Sequence, residues 1–198
     1  MQTTGQVVIR FGLPEHCRRQ AAELYYEAFR QKFEPIMSSQ QHGVAILESA
    51  FDSERAIVAL GQARLAGVAG LHYGGHEFVN VRASAFAHEF GWLSGLLRFA
   101  LLAVFSQRES EGELLLDDIA VHSSMRGKGI GTRLLQAVFD FAQANGFGSI
   151  RLEVVDTNPG ARRLYERLGF VPAQTRKYPY LRRLMSFAAA TTMIKKIV

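Results

Sequence analysis

The chain has one cysteine, one tryptophan and five prolines in 198 residues. A lone Cys17 excludes an internal disulfide, so the fold must be held by its own core, and a reducing cytoplasm is the expected setting. Long apolar runs are also missing. The most apolar stretch, Trp92 to Phe105, is shorter than the ~20 residues a membrane span needs and carries Arg98 in its middle. It is expected as a core helix, with Trp92, Leu96, Leu97, Phe99, Leu101, Leu102 and Phe105 inside. The opening residues MQTTGQVVIRFGLPEH show no basic start followed by an apolar stretch, so no secretory leader is expected. No repeat, low-complexity tract or linker composition divides the chain, which predicts a single domain over residues 1–198. Acidic residues are outnumbered, 18 against 23 basic, giving a net charge of +5. Such a balance fits nucleic acid, an anionic membrane or an anionic small ligand. The basic–aromatic interleaving and motifs of nucleic-acid binders are absent, so neither nucleic acid nor membrane is expected as a partner.

Apolar residues make up 48% of the chain, enough at this length to fill a core. Val7 to Phe11 reads as a strand, and Pro14 opens a helical pattern through Leu24, Tyr25, Ala28 and Phe29. A helix follows from about Gln41 to Phe51. Arg55 to Leu60, a turn at Gly61 and Gln62, and Leu65 to Tyr73 read as a hairpin. Phe78 to Val81 is read as a short strand, Ser84 to Phe105 as one or two helices, and Ser106 to Gly112 as a loop. Leu114 to Val121 is apolar on both faces at its start, as a strand covered on both sides would be. The strongest helical stripe runs from Gly129 to Ala144 through Ile130, Leu134, Leu135, Val138, Phe139 and Phe141. Ser149 to Val155 is the next strand. Asn158 caps a helix that starts at Pro159 and ends at Gly169. Phe170 to Ala173 and Thr192 to Val198 are the final strands. The sum is an α/β fold: a mixed sheet with helices on both faces.

Between the strongest strand and the strongest helix stands Arg126-Gly127-Lys128-Gly129-Ile130-Gly131-Thr132. Alternate glycines free the backbone to aim successive N–H groups at one spot, and a helix N-terminus behind them adds partial positive charge. An anion fits there, with Arg126 and Lys128 beside it. A Walker loop does not match, because Lys128 is followed by Gly129. The dinucleotide fingerprint fails as well, because its third glycine would fall on Thr132 or Leu134.

Arg126-x-x-Gly129-x-Gly131, preceded by Asp117-Asp118-Ile119-Ala120-Val121 and followed by Asn158-Pro159-x-Ala161-x-x-Leu164-Tyr165-x-x-x-Gly169-Phe170, resembles the GCN5-related N-acetyltransferase (GNAT) superfamily over residues 113–173. The resemblance implies a mostly antiparallel sheet with one splayed parallel pair. It divides the chain into a variable acceptor-side part (1–112), an acetyl-coenzyme A-binding core (113–173) and C-terminal strands (174–198). Backbone groups of Ile119, Ala120 and Val121 would pair with the cofactor's pantetheine arm. The N–H groups of Gly127, Lys128, Gly129, Ile130, Gly131 and Thr132 would hold its pyrophosphate, and Asn158 would meet the arm where the strands part. Tyr165 matches the family tyrosine that faces the thioester sulfur. A departing thiolate of free pKa about 8.5 is well served by a phenol donor.

An acceptor amine of pKa near 10 must lose a proton before it attacks. Asp117 and Asp118 are the candidate bases, and polyamine-acetylating members that this stretch resembles carry an acidic pair at this place. Strand alternation puts the two on opposite faces, and Asp117 is chosen by its match to the family position. Direct transfer in a ternary complex is expected, since no nucleophile elbow is present and Cys17 reads as a small core residue. The six histidines show no metal-ligand spacing: His72 and His76 flank a turn, His122 sits in a loop, and no metal is expected. The expected activity is acetyl transfer from acetyl-coenzyme A to a primary amine of a small molecule or peptide. The alternative is a catalytically silent acyl-coenzyme A sensor. Homodimers are frequent in the resembling family, and Thr192 to Val198 reads as an edge strand open to pairing. Arg176 to Arg183 reads as a loop beside the acceptor or a subunit contact.

The charge is unevenly spread. Residues 1–121 hold 10 basic and 14 acidic side chains, and residues 122–198 hold 13 basic and 4 acidic. The basic excess lies in the proposed coenzyme part, and the acidic excess lies where a cationic acceptor would enter.

Overall fold

A computed structural model describes residues 7–61, 64–103, 107–178 and 187–197. Gln62, Phe105, Ser106, the stretch 179–183 and Val198, each part of an expectation above, lie outside the described residues. Strands β1 (Val8–Phe11), β2 (Ala56–Gly61), β3 (Arg64–Tyr73), β4 (His76–Glu77), β5 (Glu113–Val121), β6 (Ser149–Val155), β7 (Val171–Lys177) and β8 (Ala189–Lys196) form one sheet. Its order is β1-β2-β3-β5-β6-β8-β7, with β4 pairing β3. Every pairing is antiparallel except β5 with β6. A parallel neighbour requires a crossover, and the helix α6 (Ile130–Ala144) supplies it.

Helices cover both faces. On one side α1 (Arg18–Ala28), α2 (Arg30–Phe33) and α3 (Gln40–Ala50) bury Leu24, Tyr25, Phe33, Leu47, Phe51 and Phe78. On the other, α6 and α7 (Pro159–Arg167) bury Leu134, Leu135, Val138 and Tyr165 against Leu114, Leu116, Ile150 and Leu152. Burying each such leucine or isoleucine stabilises the fold by about 1.5–3 kcal/mol. The apolar start of β5 is thus explained, because both faces of that strand are covered.

Several expectations need correction: the short strand read at Phe78 to Val81 stands at His76–Glu77 instead, with only Val79 bridged to Phe51, and Arg176, read as the start of a loop, lies in β7. The last strand is not an edge: β8 lies between β6 and β7, and the edge on that side of the sheet is β7. The return hairpin inserts β8 beside β6, which places Thr192 in the interior of the sheet. The apolar helical stretch is also not core throughout. It divides at Gly91 (φ 77°) into α4 (Ala83–Phe90) and α5 (Trp92–Ala103). Trp92 (75% exposed), Leu93 (84%), Leu96 (52%) and Leu97 (74%) face outward, while Phe99, Leu101 and Leu102 are partly buried. Helix α5 packs closely on α4 at Gly95, and its outer side, with Trp92, Leu93, Leu96 and Leu97, stays exposed.

Candidate active site

Strand β5 holds the site because its two edges behave differently. Toward β3 it is paired from Leu115 opposite His72 to Val121 opposite Gly67. Toward β6 the pairing stops at Leu115 opposite Arg151. Beyond that point the strands splay, and the β6-facing edge of residues 116–121 has no strand partner among the described residues. An extended chain can add there by backbone hydrogen bonds, as an extra strand would. Ile119, Ala120 and Val121 lie on this edge; the Val121 carbonyl accepts from Arg126 Nε at 3.1 Å.

Where the splay opens, the glycine turn starts α6. Gly127 and Gly129 have φ of 74° and 76°, a region L side chains rarely adopt, and a Cβ at either would meet only open space. The turn therefore needs glycine for its backbone angles, and it leaves room in front for an anion. Gly131 serves another purpose: a Cβ there would press to 3.3 Å on Leu164, so it lets α6 approach α7. Lys128 and Arg126 are at the surface beside the turn. Across the splay, the Asn158 carboxamide oxygen accepts from Ala161 N–H at 3.1 Å as the α7 cap. Its side-chain N–H₂ group is left to face other partners.

Helix α7 brings Tyr165 under the sheet, 5% exposed, its ring edge-on to Phe170. Burial, reinforced by the nearby Asp118 carboxylate, pushes its phenol well above the ordinary value. Tyr165 is therefore a proton donor at every working pH.

The acidic pair departs from simple alternation. A β-bulge interrupts the β3–β5 register, with Leu71 opposite Leu116 but Gly70 opposite Asp118. Asp117 is the extra residue. A bulge slips the alternation by one, so both carboxylates face the α1 side, and opposite faces were the wrong expectation. Asp118 accepts a hydrogen bond from the Tyr25 hydroxyl. Burial raises its pKa to about 6, against the opposing pull of Lys32 and of the Tyr25 hydrogen bond. Tyr25 is pushed up in turn, by burial first and by Asp118 next, so it stays a donor.

Asp117 faces the other way along the sheet, 3.5 Å from His72 Nδ1. At that separation the contact is an ion pair rather than a well-formed hydrogen bond. The contact with Asp117 raises the His72 pKa, and burial opposes it. Glu77, whose pKa burial raises, completes a group in which one donor atom each from His72, Glu77 and Asp117 lie within 4.8 Å. Such a set offers a cation, metal or ammonium, a strongly negative pocket. This group is not legible in the sequence, because β4 is two residues long and His72 reads as the rim of a turn. Glu109 closes that turn by accepting from Gly74 and Gly75 N–H at 2.6 and 2.7 Å. His122 stays local, accepting from Ser124 N–H.

An open, mostly antiparallel sheet, splayed at its one parallel pair beside a glycine turn, defines the acyl-coenzyme A N-acyltransferase class of fold. The acetyltransferase (GNAT) family model matches residues 18–170, and the chain belongs to that family. It is 40% identical over 73 residues to a probable N-acetyltransferase camello of Xenopus tropicalis, spanning 37% of this chain and 33% of that protein. It is 44% identical over 57 residues to a streptothricin acetyltransferase of Streptomyces lavendulae, spanning 29% of this chain and 30% of that protein. The chain thus spans about a third of the length of the curated relatives it matches. A solved N-acetyltransferase from Staphylococcus aureus Mu50 shares the fold at TM-score 0.66 and 16% identity, over 95% of this chain and 100% of that one. No helix among the described residues is long and apolar enough to cross a membrane.

Proposed function

We propose that the protein transfers an acetyl group from acetyl-coenzyme A to a primary amine in a ternary complex, within a reducing cytoplasm. The observation that carries this is the meeting at one splay of an anion-ready turn, a buried proton donor and a carboxylate held near neutrality. The turn fits the coenzyme because the positive φ of Gly127 and Gly129 turns the backbone ahead of α6 and leaves open space in front of it. When bound, acetyl-coenzyme A supplies the acetyl thioester. Gly127 to Thr132 hold its pyrophosphate by N–H groups, Arg126 and Lys128 add charge, and Ile119 to Val121 pair with its arm. Asn158 offers the arm its side-chain N–H₂.

Asp118 takes the base role in place of Asp117. It lies nearer the donor tyrosine electrostatically, and its raised pKa makes it a better base at neutral pH than an ordinary carboxylate. Asp117, with Glu77 and His72, supplies the negative field that draws a cationic amine. The amine's proton passes to an Asp118 carboxylate oxygen, its nitrogen forms the new bond to the acetyl carbon, and Tyr165 offers its phenolic proton to the departing sulfur.

Purified protein incubated with acetyl-coenzyme A and a panel of amines, amino acids and peptide N-termini should release free thiol with some of them. Release with none would overturn the transferase reading. Gly129→Ala forces alanine into a left-handed backbone and should cost about 1–2 kcal/mol of stability, a drop of a few degrees in Tm. It should also weaken coenzyme A binding about tenfold by calorimetric titration; unchanged affinity would separate the turn from the coenzyme.

A further inference from the structure

A second cavity lies on the same face as the acidic pair. Ile150, Leu152 and Val154 of β6 point to the α6 side. Arg151 and Glu153, alternating with them, therefore point to the side on which Asp117 and Asp118 stand. There Gln107, Arg108, Arg151, Glu153 and Arg176 line a cavity of about 300 Å³. Three of its five lining side chains are arginines. Arg151 Nε is held by Glu113 at 2.7 Å and its terminal nitrogen donates to the Arg108 carbonyl. Glu153 accepts from Thr192 Oγ1 at 3.3 Å. Among the described residues no carboxylate lies within ion-pair distance of Arg108 or Arg176. The wall also holds an unsatisfied group: the side-chain oxygen of Gln107 is buried without a hydrogen-bond partner. That oxygen only accepts, so it can meet a donor but takes no part in holding an anion, and the arginines alone carry the cavity's positive character.

The cavity sits at the base of the splay. Arg151 is opposite Leu115, the last paired residue of β5. Asp117 and Asp118 follow two and three residues on, about 7–10 Å along the strand. A positive cavity and a negative pocket are thus spaced along one face, with the splay between them.

We propose that this cavity is the second half of the acceptor site and binds a carboxylate carried by the acceptor. The acceptors are then linear amino acids whose primary amine and carboxylate are separated by several bonds. The amine lies at the acidic pocket, and Arg108 and Arg176 take the carboxylate in charge-assisted hydrogen bonds at the far end. This assignment rests on the transferase reading, and it adds the acceptor class to it.

The test compares 6-aminohexanoate with 6-aminohexanamide, which differ only in the charge of the tail. For the whole chain, kcat/KM should be about tenfold or more higher with the acid. Arg108→Ala and Arg176→Ala should each raise KM for the acid about tenfold with kcat little changed, and leave KM for the amide within about twofold. Equal use of acid and amide, with arginine variants that treat both alike, overturns the acceptor class while the transferase reading stands. Calorimetric titration of 6-aminohexanoate in the presence of coenzyme A reads the cavity without turnover. Binding that needs the carboxylate and weakens in Arg176→Ala supports the cavity even where no thiol is released. Neither binding nor thiol release overturns both readings.

Discussion

Asp118→Asn should lower kcat/KM for amine acetylation by about 10²–10⁴-fold and, above pH 7, make the protein more stable than the wild type. The first effect is the ordinary cost of losing a positioned general base. The second follows from the burial that tunes it. In the folded chain Asp118 titrates near 6, above the unfolded value near 3.9, so the native state binds its proton more tightly. That advantage is complete below the unfolded pKa and is lost as pH rises through about 6. At pH 8 the folded protein therefore carries a charge it holds less well than the unfolded chain does. Two pKa units correspond to about 3 kcal/mol, and partial exposure of the side chain reduces this to about 1–2 kcal/mol, or a few degrees in Tm. Asparagine presents an oxygen to the Tyr25 hydroxyl, so that hydrogen bond is retained. Melting curves of both proteins at pH 5 and pH 8 check the sign: the variant should gain on the wild type between them. In the wild type, kcat should fall as pH drops below about 6. A variant with wild-type turnover would return the base role to Asp117 or to water.

That two carboxylates stand together at this place was legible in the sequence, and the face each takes was not. The adjacent carboxylates at 117 and 118 are visible in the chain, but a bulge is a property of two strands in register. Nothing local to Leu116–Ile119 announces that Gly70 and Leu71 on β3 will take up one residue too few. The glycine turn shows the opposite case. Its requirement is local, positive φ at Gly127 and Gly129 ahead of a helix, so the residues that satisfy it are readable directly. Helix α6 and strand β6 were readable for the same reason, each carrying its own period. Helix α5 was misjudged because apolar composition states what a segment would gain by burial and not whether a neighbour is there to bury it. The arginine cavity joins residues 107, 151 and 176 through the order of β6, β8 and β7, and only the sheet brings them together.

Tyr165→Phe should lower kcat about 10–10³-fold while leaving coenzyme A affinity and stability almost unchanged. The phenyl ring keeps its edge-on contact with Phe170, so the packing under β5 and β6 survives the loss of the hydroxyl. The size of the catalytic loss depends on how the donor and the leaving group compare. A thiolate of free pKa about 8.5 departs without full protonation, whereas burial and Asp118 hold the Tyr165 phenol above its ordinary value near 10. Complete proton transfer to sulfur is thus uphill. The hydroxyl contributes mainly by hydrogen-bonding charge as it develops on the sulfur, which sets the loss below that for removing the base. The same reasoning fixes the pH dependence. Tyr165 stays neutral through the working range, so it places no charge beside Asp118, and its removal should leave the limb near pH 6 where it was. A lower kcat with an unmoved limb assigns the two groups separate roles, donor and base. Unchanged kcat with coenzyme A still bound would deny Tyr165 any part in the transfer, and a limb displaced by a unit or more would show that the two groups titrate as one.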